Sequence, residues 1–220
     1  MEHLKVESIF PTPVGYYRYE RNAELKDAVR SLLKDKQPGY NENDPRLVHF
    51  WQDGGEHFLI ENKDVPEVID FRKFLEEAHQ HFITNVTKLK SCGEVIITDA
   101  WINIAQNGAA QDVHNHANTL YVGSHYLHVE RGAGDLLLLN PAQMPSKPYI
   151  TCTPTEHSAY NVNDHVVTPE EGVLVLWPGN LAHVTTPSSG RRISISMNFL
   201  PATLSAGPYR FKVSLDHTYQ

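Results

Sequence analysis

From about residue 93 onward the chain is a series of short runs rich in β-branched, aromatic and leucine residues, each broken off by Gly, Pro, Asn or Ser. The clearest are EVIITDAWINIA, TLYVGSHYLHV, GDLLLLN, GVLVLWP and RRISISMNF. Many short strands at regular spacing bury their apolar faces by closing into a sandwich or barrel. The expected class is therefore mainly β with flanking helices (α+β), the barrel occupying about residues 93–220. With 220 residues in all, a single domain with one core is the expectation.

Residues 1–92 read as an N-terminal strand, helices and a loop. VESIFPTPVGYYRY, interrupted by Pro11 and Pro13, reads as an edge strand. Asn22 is placed to cap a short helix with Leu25, Ala28, Val29, Leu32 and Leu33 at helical spacing. Gln37 to Gly55 reads as a long loop. A second helix is expected after Asp64, from a capping box of Asp64 with Glu67 and a first-turn proline. Its stripe is Val68, Phe71, Leu75, Ala78, Phe82 and Leu89, and its end falls near Lys90.

Composition narrows the function more than the fold. Lys and Arg number 19 against 26 Asp and Glu, a formal charge of -7 with no run of like charges, so a nucleic-acid-tracking surface is not indicated. Cys92 and Cys152 form no Cys-x-x-Cys pair, which points away from a disulfide framework and a thiolate zinc site. The charged start MEHLKVESIF lacks the apolar centre of a secretory signal, and no stretch reaches the length of a membrane span. A soluble, cytoplasmic protein is expected.

The chemistry is expected among the 13 histidines. In QDVHNHANTL, His114 and His116 are two apart, which in an extended strand turns both imidazoles to one face. Imidazole suits iron, copper, nickel and zinc, so the pair alone names no metal. A third ligand is offered by His183 in GVLVLWPGNLAHVTTPSSGRRISISMNF. The strand after it alternates, with Arg192, Ser194, Ser196 and Asn198 on one face and Ile193, Ile195, Met197 and Phe199 on the other. A cation followed by small hydroxyls is how a barrel interior would hold a dicarboxylate.

The order of these motifs resembles the 2-oxoglutarate and Fe(II)-dependent oxygenase superfamily, in particular a branch related to prolyl hydroxylases whose second motif residue is His. The stretches that carry the resemblance are HNHANTLYVGSHYLHV, GDLLLLNP, GVLVLWPGNLAH and RRISISMNF, within roughly the last 120 residues. It implies a double-stranded β-helix (a jelly-roll, cupin-like barrel), with His114, His116 and His183 as iron ligands. It also implies that Arg192 and Ser194 hold the distal carboxylate of the co-substrate 2-oxoglutarate, with the Tyr126 phenol nearby. The implied reaction consumes dioxygen, releases succinate and CO2, and hydroxylates a primary substrate that the residues do not name, a peptide or protein side chain being one class. Trp101 and Asn103 match a Trp-x-Asn pattern of that branch and are candidates for lining the pocket or for the core.

Two alternatives stay open at this point. Asp112 alternates onto the same face as the histidine pair and is a second source of a ligand. Three histidines also suit a hydrolytic zinc site, a cupin-like oxygenase without 2-oxoglutarate, or a non-catalytic binding barrel. Arg192 with Ser194 is the feature those alternatives leave without a purpose. His125, His128, His157 and His165 read as surface or hydrogen-bonded residues.

Overall fold

The computed structural model describes residues 9–52, 56–89, 94–141, 153 and 155–215. In chain order the elements are β1 (Gly15–Arg18), α1 (Asn22–Leu32), β2 (Gly39–Tyr40), β3 (Leu47–Phe50), α2 (Phe58–Glu61) and α3 (Pro66–His81). A π-helical turn, Phe82–Val86, follows α3. Next come β4 (Val95–Ala105), β5 (Tyr121–Val129), β6 (Leu136–Leu139), β7 (Asp164–Val167) and β8 (Val173–Pro178). The last are β9 (His183–Thr185), β10 (Arg192–Pro201), β11 (Thr203–Ala206) and β12 (Tyr209–Lys212).

Seven strands form one sheet in the order β1-β8-β5-β10-β4-β3-β2, and three form a second in the order β7-β6-β9. A lone bridge between His114 and His183 adds a fourth element beside β9. The inner four strands of the large sheet, β8-β5-β10-β4, thus oppose a four-element small sheet, which is the double-stranded β-helix. All pairings are antiparallel.

Strand periodicity decides which residues go where. Ile195, Met197 and Phe199 of β10, Leu174 and Leu176 of β8, and Ile102 and Ile104 of β4 lie in one core with Leu25, Val29, Phe71 and Leu75 of the helices. Alternate residues Val122, Tyr126, Val173, Val175 and Trp177 face the small sheet and pack with Leu136, Leu138 and Val167. Each strand of the large sheet therefore has an apolar back against helices and a mixed front toward the barrel interior.

The N-terminal half differs from expectation in several places. The segment Gln37 to Gly55 holds β2 and β3, which extend the large sheet beyond β4. These strands are four residues or fewer, too short for alternation to show. The cap of α3 is Val65, in extended conformation with no side-chain cap bond, so Asp64 and Glu67 form no capping box; Pro66 is its first residue. Arg21, not Asn22, precedes α1, and the buried Asn22 instead donates to the Leu127 carbonyl at 3.1 Å. The α-helix ends at His81, and Leu89 is 40% exposed rather than on the buried stripe. Lys90 and Gly93, expected at that helix end, lie outside the described residues, as do Cys92 and Cys152. β1 takes the sheet edge against β8, as expected, but it begins at Gly15, and Pro11 and Pro13 lie before it rather than within it. Among the described residues no helix is long and apolar enough to cross a membrane.

Candidate active site

The segment carrying His114 and His116 runs beside β9. His114 N–H donates to the His183 carbonyl and His183 N–H to the His114 carbonyl, each at 2.9 Å. Residues that exchange both bonds stand directly opposite, with side chains on the same face. Their rings accordingly lie 4.2 Å apart between centroids. His116, two residues on, is held by its N–H to the Gly179 carbonyl at 3.0 Å, and its ring lies 5.2 Å from that of His183. Asn118, at φ 55°, then turns the chain toward β5; asparagine tolerates this left-handed conformation.

One ligand atom from each of the three histidines lies within 4.8 Å of the others. Each Nδ1 is already engaged with an oxygen: His114 with the Asp112 carbonyl at 2.7 Å, His183 with the Leu181 carbonyl at 2.9 Å, and His116 with Asn198 Oδ1 at 2.7 Å. A carbonyl oxygen only accepts, so Nδ1 carries the proton and Nε2 presents its lone pair in all three. Burial pulls the His183 imidazole down to about 3 and lowers that of His116, favouring the neutral form a metal needs. Indoles flank the set: Trp101 stacks on His116 at 5.9 Å and Trp177 meets His183 edge-on at 5.1 Å. Asp112 is exposed and contributes only its backbone carbonyl; its carboxylate is not part of the cluster.

A cavity of about 360 Å³ opens from the histidines into the barrel and is also lined by Tyr126, Arg192, Ser194 and Asn198. Arg192 is 5% exposed, whereas Arg191, on the opposite side of the strand, is exposed. The Arg192 Nη1 donates to the Gly134 carbonyl, and no carboxylate pairs with this guanidinium among the described residues. A Cβ on Gly134 would lie 2.0 Å from the Thr186 carbonyl oxygen, so only glycine lets β6 approach closely enough to offer that acceptor. Burial lowers the Arg192 pKa, and the field of Arg192 in turn opposes the burial that raises the Tyr126 phenol to about 12. Ser194 is 6% exposed.

Trp101 and Asn103 also line the cavity, not the core. His125 is fully buried and bonds Asn22 Oδ1 at 2.8 Å, far from any ligand role. His128 pairs with Glu171 at 3.0 Å, and His157 and His165 are exposed. Sequence reasoning gave no role to Asn198, although alternation had already placed it on the face of Arg192 and Ser194.

The comparisons with known proteins agree with this geometry. Residues 99–198, a little under half the chain, match the model of a 2OG-Fe(II) oxygenase family. A Burkholderia pseudomallei oxidoreductase of the 2OG-Fe(II) oxygenase family superposes with a TM-score of 0.55 at 12% identity, covering 86% of this chain and 84% of the other. A Pseudomonas putida prolyl-4-hydroxylase gives 0.54 at 14%, covering 86% and 92%. HygX of Streptomyces hygroscopicus, solved with nickel, 2-oxoglutarate and hygromycin B, gives 0.55 at 13%, covering 86% and 83%. No curated protein matches by sequence. Family match, fold and histidine set point together to the 2OG-Fe(II) oxygenases, for which Fe(II) and 2-oxoglutarate are the typical cofactors.

Proposed function

We propose that the protein is a 2-oxoglutarate-dependent dioxygenase in which His114, His116 and His183 hold Fe(II) and Arg192, Ser194 and Tyr126 receive the distal carboxylate of the co-substrate. The observation that carries this reading is the unpaired guanidinium of Arg192 in the same cavity as three available imidazole nitrogens. The Asp135 carboxylate acts on this buried cation only through its field, without an ion pair; a bidentate carboxylate is the partner that fits a guanidinium fork. A hydrolytic zinc site would have no use for it.

The donor set fits iron, since neutral imidazole is an ordinary ligand for it and three leave positions open for other groups. Fe(II) with 2-oxoglutarate and dioxygen supplies an oxidation that no side chain performs: the keto acid is decarboxylated to succinate and CO2, and an unactivated C–H bond of the substrate is hydroxylated. The chain's own tasks are to ligate, to anchor the co-substrate and to exclude water. Tyr126, Val122 and Trp177 line the inner wall of the cavity.

The primary substrate is proposed to be a peptide or protein side chain. At about 360 Å³ the cavity lies near the lower end of ligand pockets, with room for the co-substrate and little more than one side-chain-sized group. The rest of such a substrate would stay outside, beyond Gln52 and Glu56, which are exposed residues of the lining. Resemblance in fold to prolyl hydroxylases adds support. Anaerobic protein given Fe(II) and 2-oxoglutarate should show the weak visible band of the chelated keto acid and, with oxygen, release succinate. Tight zinc binding with neither band nor succinate under any iron loading would refute the oxygenase reading. Loss of both in His183→Ala is the expected control.

A further inference from the structure

His114 and His183 give their Nδ1 protons to backbone carbonyls two residues earlier in the chain. A peptide carbonyl offers nothing but an acceptor, so the fold itself dictates the tautomer of those rings. His116 is different. Its partner is a primary amide, which offers an acceptor at one end and a donor at the other, exchanged by half a turn of the side chain. A rotated Asn198 would present Nδ2–H to His116 Nδ1 and drive the ring proton to Nε2, the atom needed for a metal.

Asp99 blocks that rotation. Its Oδ2 accepts from Asn198 Nδ2 at 3.1 Å and from Thr98 Oγ1 at 3.0 Å. Turning the amide would set Asn198 Oδ1 against the carboxylate, two acceptors with no proton between them. The register brings the three groups together. Asn198 pairs with Asp99 and Phe199 with Ile97, so Thr98 is the extra residue of a bulge in β4 beside the site. Trp101, two residues further along β4, stacks on the same His116 ring. Asp99 is in no ion pair among the described residues and lines the cavity.

We infer that Asp99 is a positioning residue for the metal centre: through Asn198 it holds His116 in the tautomer that presents Nε2. It thereby also lends a set of three neutral ligands a carboxylate one step removed. The second half of this inference rests on the proposed function; the first does not, because a tautomer exists without metal.

The test uses metal-free, 15N-labelled full-length protein and two-bond proton–nitrogen correlation spectra, with the His116 signals identified by their loss in His116→Gln. Wild type should show the Nδ1–H form alone, and Asp99→Asn a mixture with the Nε2–H form. Asn198→Ala, which removes the amide, should mix the tautomers too and serves if Asp99→Asn fails to fold. Cobalt(II) affinity, read by chelator competition, should fall about 10- to 100-fold in Asp99→Asn. It should return to within about threefold of wild type in Asp99→Asn/Asn198→Asp, where the carboxylate meets His116 directly. A merely structural role for Asp99 would not be rescued that way. Asp99→Asn with the wild-type tautomer and affinity overturns the relay alone. Cobalt affinity unchanged by His183→Ala overturns the metal centre and the charge-lending half, while the tautomer spectra still decide the other half.

Discussion

On the helix side of β10, Ile195, Met197 and Phe199 are fully buried among other apolar groups, while on its cavity side Arg192 and Ser194 are only 5% and 6% exposed. Burial is nearly the same on the two faces; what differs is whether the buried group has found its partner. Apolar groups on the helix side complete their contacts within the fold. On the cavity side a guanidinium with five N–H donors meets one backbone carbonyl and no anion among the described residues. One face stabilises the chain, and the other holds binding capacity in reserve at a cost in stability.

The largest effect should come from breaking the helix side. Phe199 is fully buried and stacks on His79 at 4.2 Å between ring centroids. Phe199→Ala should cost about 3–5 kcal/mol in urea unfolding, the usual range for emptying such a site. The folded fraction should keep its 2-oxoglutarate affinity. A large loss of affinity would show that the two faces are not separable.

Arg192→Met should do the reverse. If Arg192, the one Lys or Arg lining the cavity among the described residues, is the proposed anchor, its loss should weaken 2-oxoglutarate binding by about 2–5 kcal/mol. Stability of the ligand-free chain should stay equal or rise, since an apolar replacement relieves a buried, unpaired charge. Titration calorimetry and thermal unfolding read the two quantities separately. A marked fall in stability would mean that the bond to the Gly134 carbonyl outweighs the desolvation.

How much of this contrast could be read beforehand follows from what each feature depends on. Alternation in RRISISMNF assigned the two faces of β10, because a strand of ten residues shows its period plainly. The histidine set came from the order of motifs, and Arg192 over Arg191 from its shared face with Ser194. β2 and β3 were invisible because two and four residues carry no period and their pairing is with distant β4. The link from Asp99 to Asn198 depends on register and a bulge across 99 residues of sequence separation. Its only hint was that Asp99, Trp101 and Asn103 alternate together. The cap of α3 failed for a local reason: Val65 already takes the extended cap conformation, and Pro66 as first residue has no N–H to satisfy.

The helix side has polar exceptions that sharpen the comparison. Neither ring nitrogen of His79 has a partner among the described residues, and burial pulls both His79 and His125 down to about 3. An unfolded chain takes up these protons near pH 6.5, whereas the folded one excludes them. Stability is therefore full above about pH 6.5 and falls as the pH drops toward 3, by about 1.4 kcal/mol per pH unit for each histidine. At pH 5 the loss is about 2 kcal/mol for each. His79→Leu should reduce the slope of stability against pH by one histidine's share in the metal-free protein. An unchanged slope would show that the buried ring is reached by water.

The smallest effect is expected at Tyr126, where the two faces are hardest to tell apart. Its ring packs with Val122 and Trp177 like a core residue, yet its hydroxyl lies in the field of Arg192 and lines the cavity. The hydroxyl makes no hydrogen bond among the described residues, so Tyr126→Phe removes no contact that the fold uses. Stability should change by less than about 0.5 kcal/mol. If the phenol donates to the co-substrate carboxylate, 2-oxoglutarate affinity should fall by about 0.5–1.5 kcal/mol, the net worth of one hydrogen bond. The opposite pattern, a clear loss of stability with affinity untouched, would place Tyr126 with the packing residues and leave Arg192 and Ser194 as the anchor.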